Sequence, residues 1–190
     1  MMAPLLVFGH ACEFLVARLE VKQGTLHLEI TADYGGNPFI TDEAEAREAV
    51  KGAVKLHMGD TLRALEELAP MKLEKRSDWD ADAPTAFAPA PDGQPHQLVT
   101  GIWQWHAAAK VDEVTLVLPE VTGHDVLLWT RDEKLGDRQA KWMMLIGGES
   151  SPLIRLERPV QYSASWLAGG AVAALLGLLG TWWARRQVRS

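Results

Sequence analysis

Between Arg158 and Arg185 the chain carries no charged side chain. Within that stretch, Trp166 to Ala184 is made of Leu, Ala, Gly, Val, Thr and Trp alone. At ~1.5 Å per helical residue this segment reaches roughly 28 Å, close to the ~30 Å hydrocarbon core of a bilayer. Trp166 at one end and Trp182 and Trp183 at the other fall where indole rings prefer to lie, at headgroup depth. Arg185 and Arg186 follow at once, with Arg189 beyond them. The pattern predicts a single transmembrane helix over 164–184, with a basic tail at 185–190 and the remaining chain tethered to the bilayer.

Charge on either side of the span gives the direction. Three arginines follow it closely, against Arg155 and Arg158 before it, so the positive-inside tendency places the carboxyl end in the cytoplasm and the domain outside. The amino terminus reads either as the tail of a signal peptide, which agrees, or as a buried first strand of a cytoplasmic domain. Leu5-Leu6-Val7-Phe8 followed by the small residues Gly9 and Ala11 has the order of a signal-peptide tail and cleavage site, although no basic residue precedes it. The expected organisation is a signal peptide over 1–11, an extracytoplasmic domain over 12–160, the span and the tail.

The formal net charge is −6, and the three arginines of the tail contribute +3, which leaves −9 on residues 1–184. An acidic domain does not suit nucleic acid, whose phosphates require a basic face. Cys12 is the only cysteine, which excludes an internal disulfide and a multi-cysteine zinc site.

The expected domain is mainly β, with an α+β arrangement as the variant. Leu26, Leu28 and Ile30 alternate with His27, Glu29 and Thr31, the period of a half-buried strand. Together with Glu13–Val21 and a turn at Lys22-Gln23-Gly24 they form a hairpin. Further strands are expected at 71–76, 97–106, 113–118, 125–130, 141–146 and 153–157, giving an antiparallel sandwich-like fold. Helices are expected only in an insertion over 41–69. The first begins at Asp42, with Glu45 completing a capping-box-like pair, and runs to Leu56. A second is read from the three-residue spacing of Leu62, Leu65 and Leu68. Residues 77–97, with Pro84, Pro89, Pro91 and Pro95, read as an irregular loop.

No catalytic signature is present. The chain lacks a nucleophile elbow, a phosphate-binding loop and a dinucleotide fingerprint. Gly147 to Pro152 reads as a turn between strands. Asp78, Asp80 and Asp82 offer oxygen ligands, but without the glycine and glutamate of a calcium loop. The histidines form no i, i+4 zinc pair. One metal reading stands: cleavage after Gly9 would expose His10 as an amino-terminal residue whose amine and imidazole chelate copper or nickel, with Cys12 as a further ligand. His57-Met58 is a second source of soft ligands. Trp103, Trp105, Trp129 and Trp142 form either an aromatic platform for a sugar or peptide or part of the core, and Trp79 in the loop is the more exposed contact candidate.

Within the span, Gly169, Ala173, Gly177 and Thr181 recur at intervals of four behind Ser165. Such a stripe lets another helix approach closely, from a second copy or from another membrane protein. The function expected from these features is non-enzymatic: a single-pass membrane protein presenting an extracytoplasmic binding or accessory module, with no cofactor. Copper or nickel handling through His10 is the alternative, and an enzyme without a recognisable signature is the third reading.

Overall fold

The computed structural model describes residues 14–22, 24–79, 95–108, 111–131 and 141–156. The chain divides between Glu157 and Arg158 into two units, and every described residue belongs to the first. That unit is mainly β. Its described residues hold two sheets and a single helix longer than one turn.

Strands β1 (Leu15–Lys22) and β2 (Thr25–Asp33) form the expected hairpin, in register from Val16↔Thr31 to Lys22↔Thr25. The two-residue connection is closed by Gly24 at φ 76°, a conformation that glycine adopts without steric cost. Strand β2 pairs along its whole length with a strand at Leu98–His106, which in turn pairs with one at Lys72–Arg76. On its other side β1 pairs with Val126–Arg131, and that strand with Lys141–Leu145.

The remaining strands lie in a second sheet. In chain order the ten are β1, β2, β3 (Lys55–Met58), β4 (Thr61–Ala64), β5 (Lys72–Arg76), β6 (Leu98–His106), β7 (Glu113–Val117), β8 (Val126–Arg131), β9 (Lys141–Leu145) and β10 (Ile154–Arg155). The large sheet has the order β5-β6-β2-β1-β8-β9 and the small one β10-β7-β3-β4. The β1–β8 pair is parallel, a departure from the wholly antiparallel expectation. Its two strands are separated by most of the domain, and the intervening chain forms the crossover that a parallel pair needs.

Alternation decides which side chains meet between the sheets. Leu15, Ala17 and Leu19 of β1, Leu26, Leu28 and Ile30 of β2, and Val126 and Leu128 of β8 point to one face. They share a buried cluster with Leu56, Val114 and Leu116 of the small sheet. Leu28, Ile30, Leu56, Leu116 and Leu128 are fully buried, each contributing about 1.5–3 kcal/mol relative to exposure. Trp103 lies in the same cluster, 1% exposed.

The insertion departs most from expectation. Helix α1 (Glu43–Gly52) begins as predicted, with the Asp42 carboxylate accepting from the Glu45 N–H at 2.9 Å. The Glu45 side chain reaches back one residue further than in a capping box, taking the Thr41 N–H and hydroxyl, both at 2.9 Å. The helix stops at Gly52 instead of Leu56, because Lys55–Met58 forms β3. Leu56 points into the core there, while Lys55 and His57 are exposed. The predicted second helix is mostly β4, turned back on β3 through Gly59 at φ 57°. Only Leu65–Leu68 makes a helical turn, α2. Three-residue spacing of leucines is thus shared between a strand and one turn.

Helix α1 packs on the inner face of β6 and β2 through Ala46 and Val50. A Cβ added at Gly101 of β6 would lie 2.5 Å from Val50 Cγ1 and 2.8 Å from the Trp103 ring. The glycine therefore sets how closely the helix seats.

Candidate functional site

The register sorts the tryptophans onto opposite faces. Trp103 and Trp105 of β6 stand opposite the inward Leu28 and Leu26. Trp129 and Trp142 pair with each other on the outer face of the large sheet, so the four form no single platform. The outer pair is stacked, with centroids 5.7 Å apart and planes at 11°. The Arg18 guanidinium lies 4.6 Å from the Trp129 centroid, a cation–π contact, and also bonds Glu20 at 2.6 Å. Trp129 is only 5% exposed. Trp79 is half-buried rather than exposed, with its ring edge against His96 at 6.0 Å.

On the same outer face a line of charge runs across three strands. Lys72 binds Glu74 at 2.7 Å, Glu74 binds Arg76 at 3.3 Å, and Arg76 crosses β6 to reach Glu29 at 3.1 Å. His27 closes the line on Glu29 at 3.0 Å. Burial pushes the Glu29 carboxyl up, but the His27 hydrogen bond and the Arg76 guanidinium outweigh it and hold it below its ordinary value. Nearby, the buried hydroxyls of Thr31 and Thr100 pair at 2.9 Å. These charges and hydroxyls are answered from within the face.

Where β2 ends, Asp33 is a polar hub. Its carboxylate, 4% exposed, accepts the Gly35 and Gly36 N–H groups at 2.9 and 3.0 Å and His96 Nδ1 at 3.0 Å. A carboxylate oxygen only accepts, so His96 carries its proton on Nδ1. The contact ties both described ends of the 77–97 loop to the sheet, since Trp79 rests on His96.

A different surface lies at the same end of the domain, on the helix side. The register places the start of β8 beside the start of β1, and so beside the end of β2. The loop before β8 lies beside one face of α1, from Glu45 to Gly52. Between them is an open groove of about 410 Å³, lined by Phe39, Glu45, Glu48, Ala49, Gly52 and Val121–His124. Phe39 is 63% exposed and Val121 is 96% exposed. Glu48 and Asp125 join no ion pair among the described residues. His124 is held below its ordinary value by burial, against the opposing pull of Asp125 and Glu45, and its buried Nδ1 has no hydrogen-bond partner among the described residues. An imidazole, two exposed apolar side chains and the carboxylates of Glu45 and Glu48 thus face one concavity.

The sequence-predicted site residues fall elsewhere. His10 and Cys12 lie outside the described residues, as do Asp80 and Asp82. So do Trp166, Gly169, Ala173, Gly177, Thr181, Trp182, Trp183, Arg185 and Arg186. Among the described residues no helix is long and apolar enough to cross a membrane, and no three His, Cys, Asp or Glu side chains converge as a metal site would require. His57 is exposed, whereas Met58, its neighbour on the strand, packs against the core, so the two point to opposite faces and do not act as a pair. Sequence reasoning missed the groove. Phe39 sits in a turn and Val121 in a short loop, and their only signal was an apolar residue among turn-forming ones. No family model and no curated protein sequence matches the chain.

Proposed function

We propose that this chain is a single-pass membrane protein that presents a sandwich-like β domain outside the cytoplasm as a binding or accessory module. The span is Trp166–Ala184, with Arg185 and Arg186 on the cytoplasmic side and the bilayer as the constant partner. The small-residue stripe from Gly169 to Thr181 suits close approach by another membrane helix. The observation that carries the binding reading is the groove between α1 and the 119–125 loop. Phe39 and Val121 stand exposed together on this one concavity.

Two measurements test the topology and processing. Protease added to intact cells is expected to degrade the domain and leave a fragment containing 164–190; protection of the domain would place it inside and overturn the reading. The intact mass of the membrane-extracted protein is expected to lack the signal. A chain that begins at His10 would keep the amine–imidazole pair that copper or nickel handling needs. Cleavage after Ala11 would remove it.

A further inference from the structure

The groove's own chemistry points to its occupant. Its apolar content is concentrated in Phe39, Val121 and Ala49, with Phe39 and Val121 exposed side by side on one concavity. Its charged lining is one-signed: Glu45 and Glu48 of α1, with Asp125 following the lining residue His124 in the chain. Glu45 spends one oxygen on Thr41, while Glu48 and Asp125 have no cationic partner among the described residues. Burial holds His124 below its ordinary value and so disfavours the imidazolium that would offset this charge. The contrast with the other carboxylates of α1 and its surroundings is direct, since Glu43 is bound by both Arg47 and Lys75.

We infer that the groove docks a basic, apolar segment of a partner protein, with apolar side chains against Phe39 and Val121 and lysine or arginine against Glu48. This rests on the binding-module reading above and adds the partner's chemistry to it. Opposite charge across such a surface sets register and speeds encounter, and apolar contact supplies the driving force. An anionic lipid surface is disfavoured, because the same carboxylates would face its headgroups.

The test uses the full chain in detergent micelles and three fluorescent helical peptides: leucine/lysine, leucine/glutamate and serine/lysine. The leucine/lysine peptide is expected to bind. The double variant Phe39→Ser with Val121→Ser is expected to weaken it by about tenfold or more. Glu48→Gln is expected to weaken it severalfold, while Glu66→Gln on α2, which removes the same charge elsewhere, leaves it unchanged. Equal binding of the leucine/glutamate peptide, still lost in the double variant, would overturn the cationic partner and leave the groove as a binding site. Equal binding of the serine/lysine peptide would overturn the apolar contact. No peptide binding, or binding insensitive to the double variant, would sink both the inference and the groove. A concentration-dependent dimer abolished by the double variant would assign the groove to a second copy and overturn the inference as stated.

Discussion

The outer face of the large sheet and the groove beside α1 are both rich in charge and both carry large side chains, yet they are built to opposite ends. On the outer face a line of charges is paired, from Lys72 through Glu74 and Arg76 to Glu29 and His27, and Arg18 covers Trp129. In the groove, carboxylates of one sign stand around exposed Phe39 and Val121. Surface ion pairs contribute little energy singly, so the outer-face line is not a major source of stability. Its consequence is that the charges in that line are already answered by one another. An aromatic pair on a sheet invites a binding interpretation, but it is the surface with unmet chemistry that can take a partner.

That contrast can be broken at several points. The largest effect is expected where the two surfaces share a support. Asp33→Ala removes the acceptor of two backbone N–H groups and of His96, and is expected to lower unfolding free energy by about 3 kcal/mol, read by chemical denaturation. A loss below about 1 kcal/mol would mean that water replaces the carboxylate freely. Gly101→Ala drives a Cβ into Val50 and Trp103. It is expected to cost about 2 kcal/mol and to displace α1, and with it one wall of the groove. Probe-peptide binding should fall in this variant while the outer-face stack stays intact.

Smaller effects separate the faces themselves. Trp142→Ala removes the stack on Trp129, with an expected loss of about 1–2 kcal/mol and no change in groove binding. On the outer face, Glu29 also gives a pH signature. Its carboxyl lies below its ordinary value in the fold, so its stabilising contribution is present above the unfolded value of about 4.5 and is lost as pH falls through the folded value. Arg76→Gln should raise the Glu29 value in a carbon-13 NMR titration and move acid unfolding to higher pH; an unmoved titration would show that Arg76 does not sense Glu29. The smallest effect belongs to the groove. Phe39→Ser with Val121→Ser should change stability by no more than about 0.5 kcal/mol for each substitution, because exposed side chains support little of the fold. A larger loss would reassign these residues from partner contact to packing.

Legibility in the sequence followed the range of the interactions involved. The first hairpin was readable because its pattern, its turn glycine and its partner strand all lie within one short stretch. The start of α1 was readable for the same reason, through Asp42 and Glu45. Strand β3 was not. It has four residues, its core contribution is Leu56, and it is held by pairing with β7, far along the chain, so the local pattern read as a continuing helix. The parallel pairing of β1 with β8 leaves no local trace either. Phe39 and Val121 looked like isolated apolar residues in turns until the fold placed them on one concavity.

By itself the sequence determined the alternation that makes the domain mainly β, the capped start of its helix, and an uncharged Trp166–Ala184 of bilayer length. These are properties of neighbouring residues, governed by backbone geometry and by the cost of placing charge in an apolar medium. The tertiary structure alone decided which tryptophans face the core, which carboxylates find cations, and where exposed apolar side chains gather beside unpaired acids. Those outcomes depend on residues distant in the chain coming into register, and side-chain pairing and burial are settled only once they have.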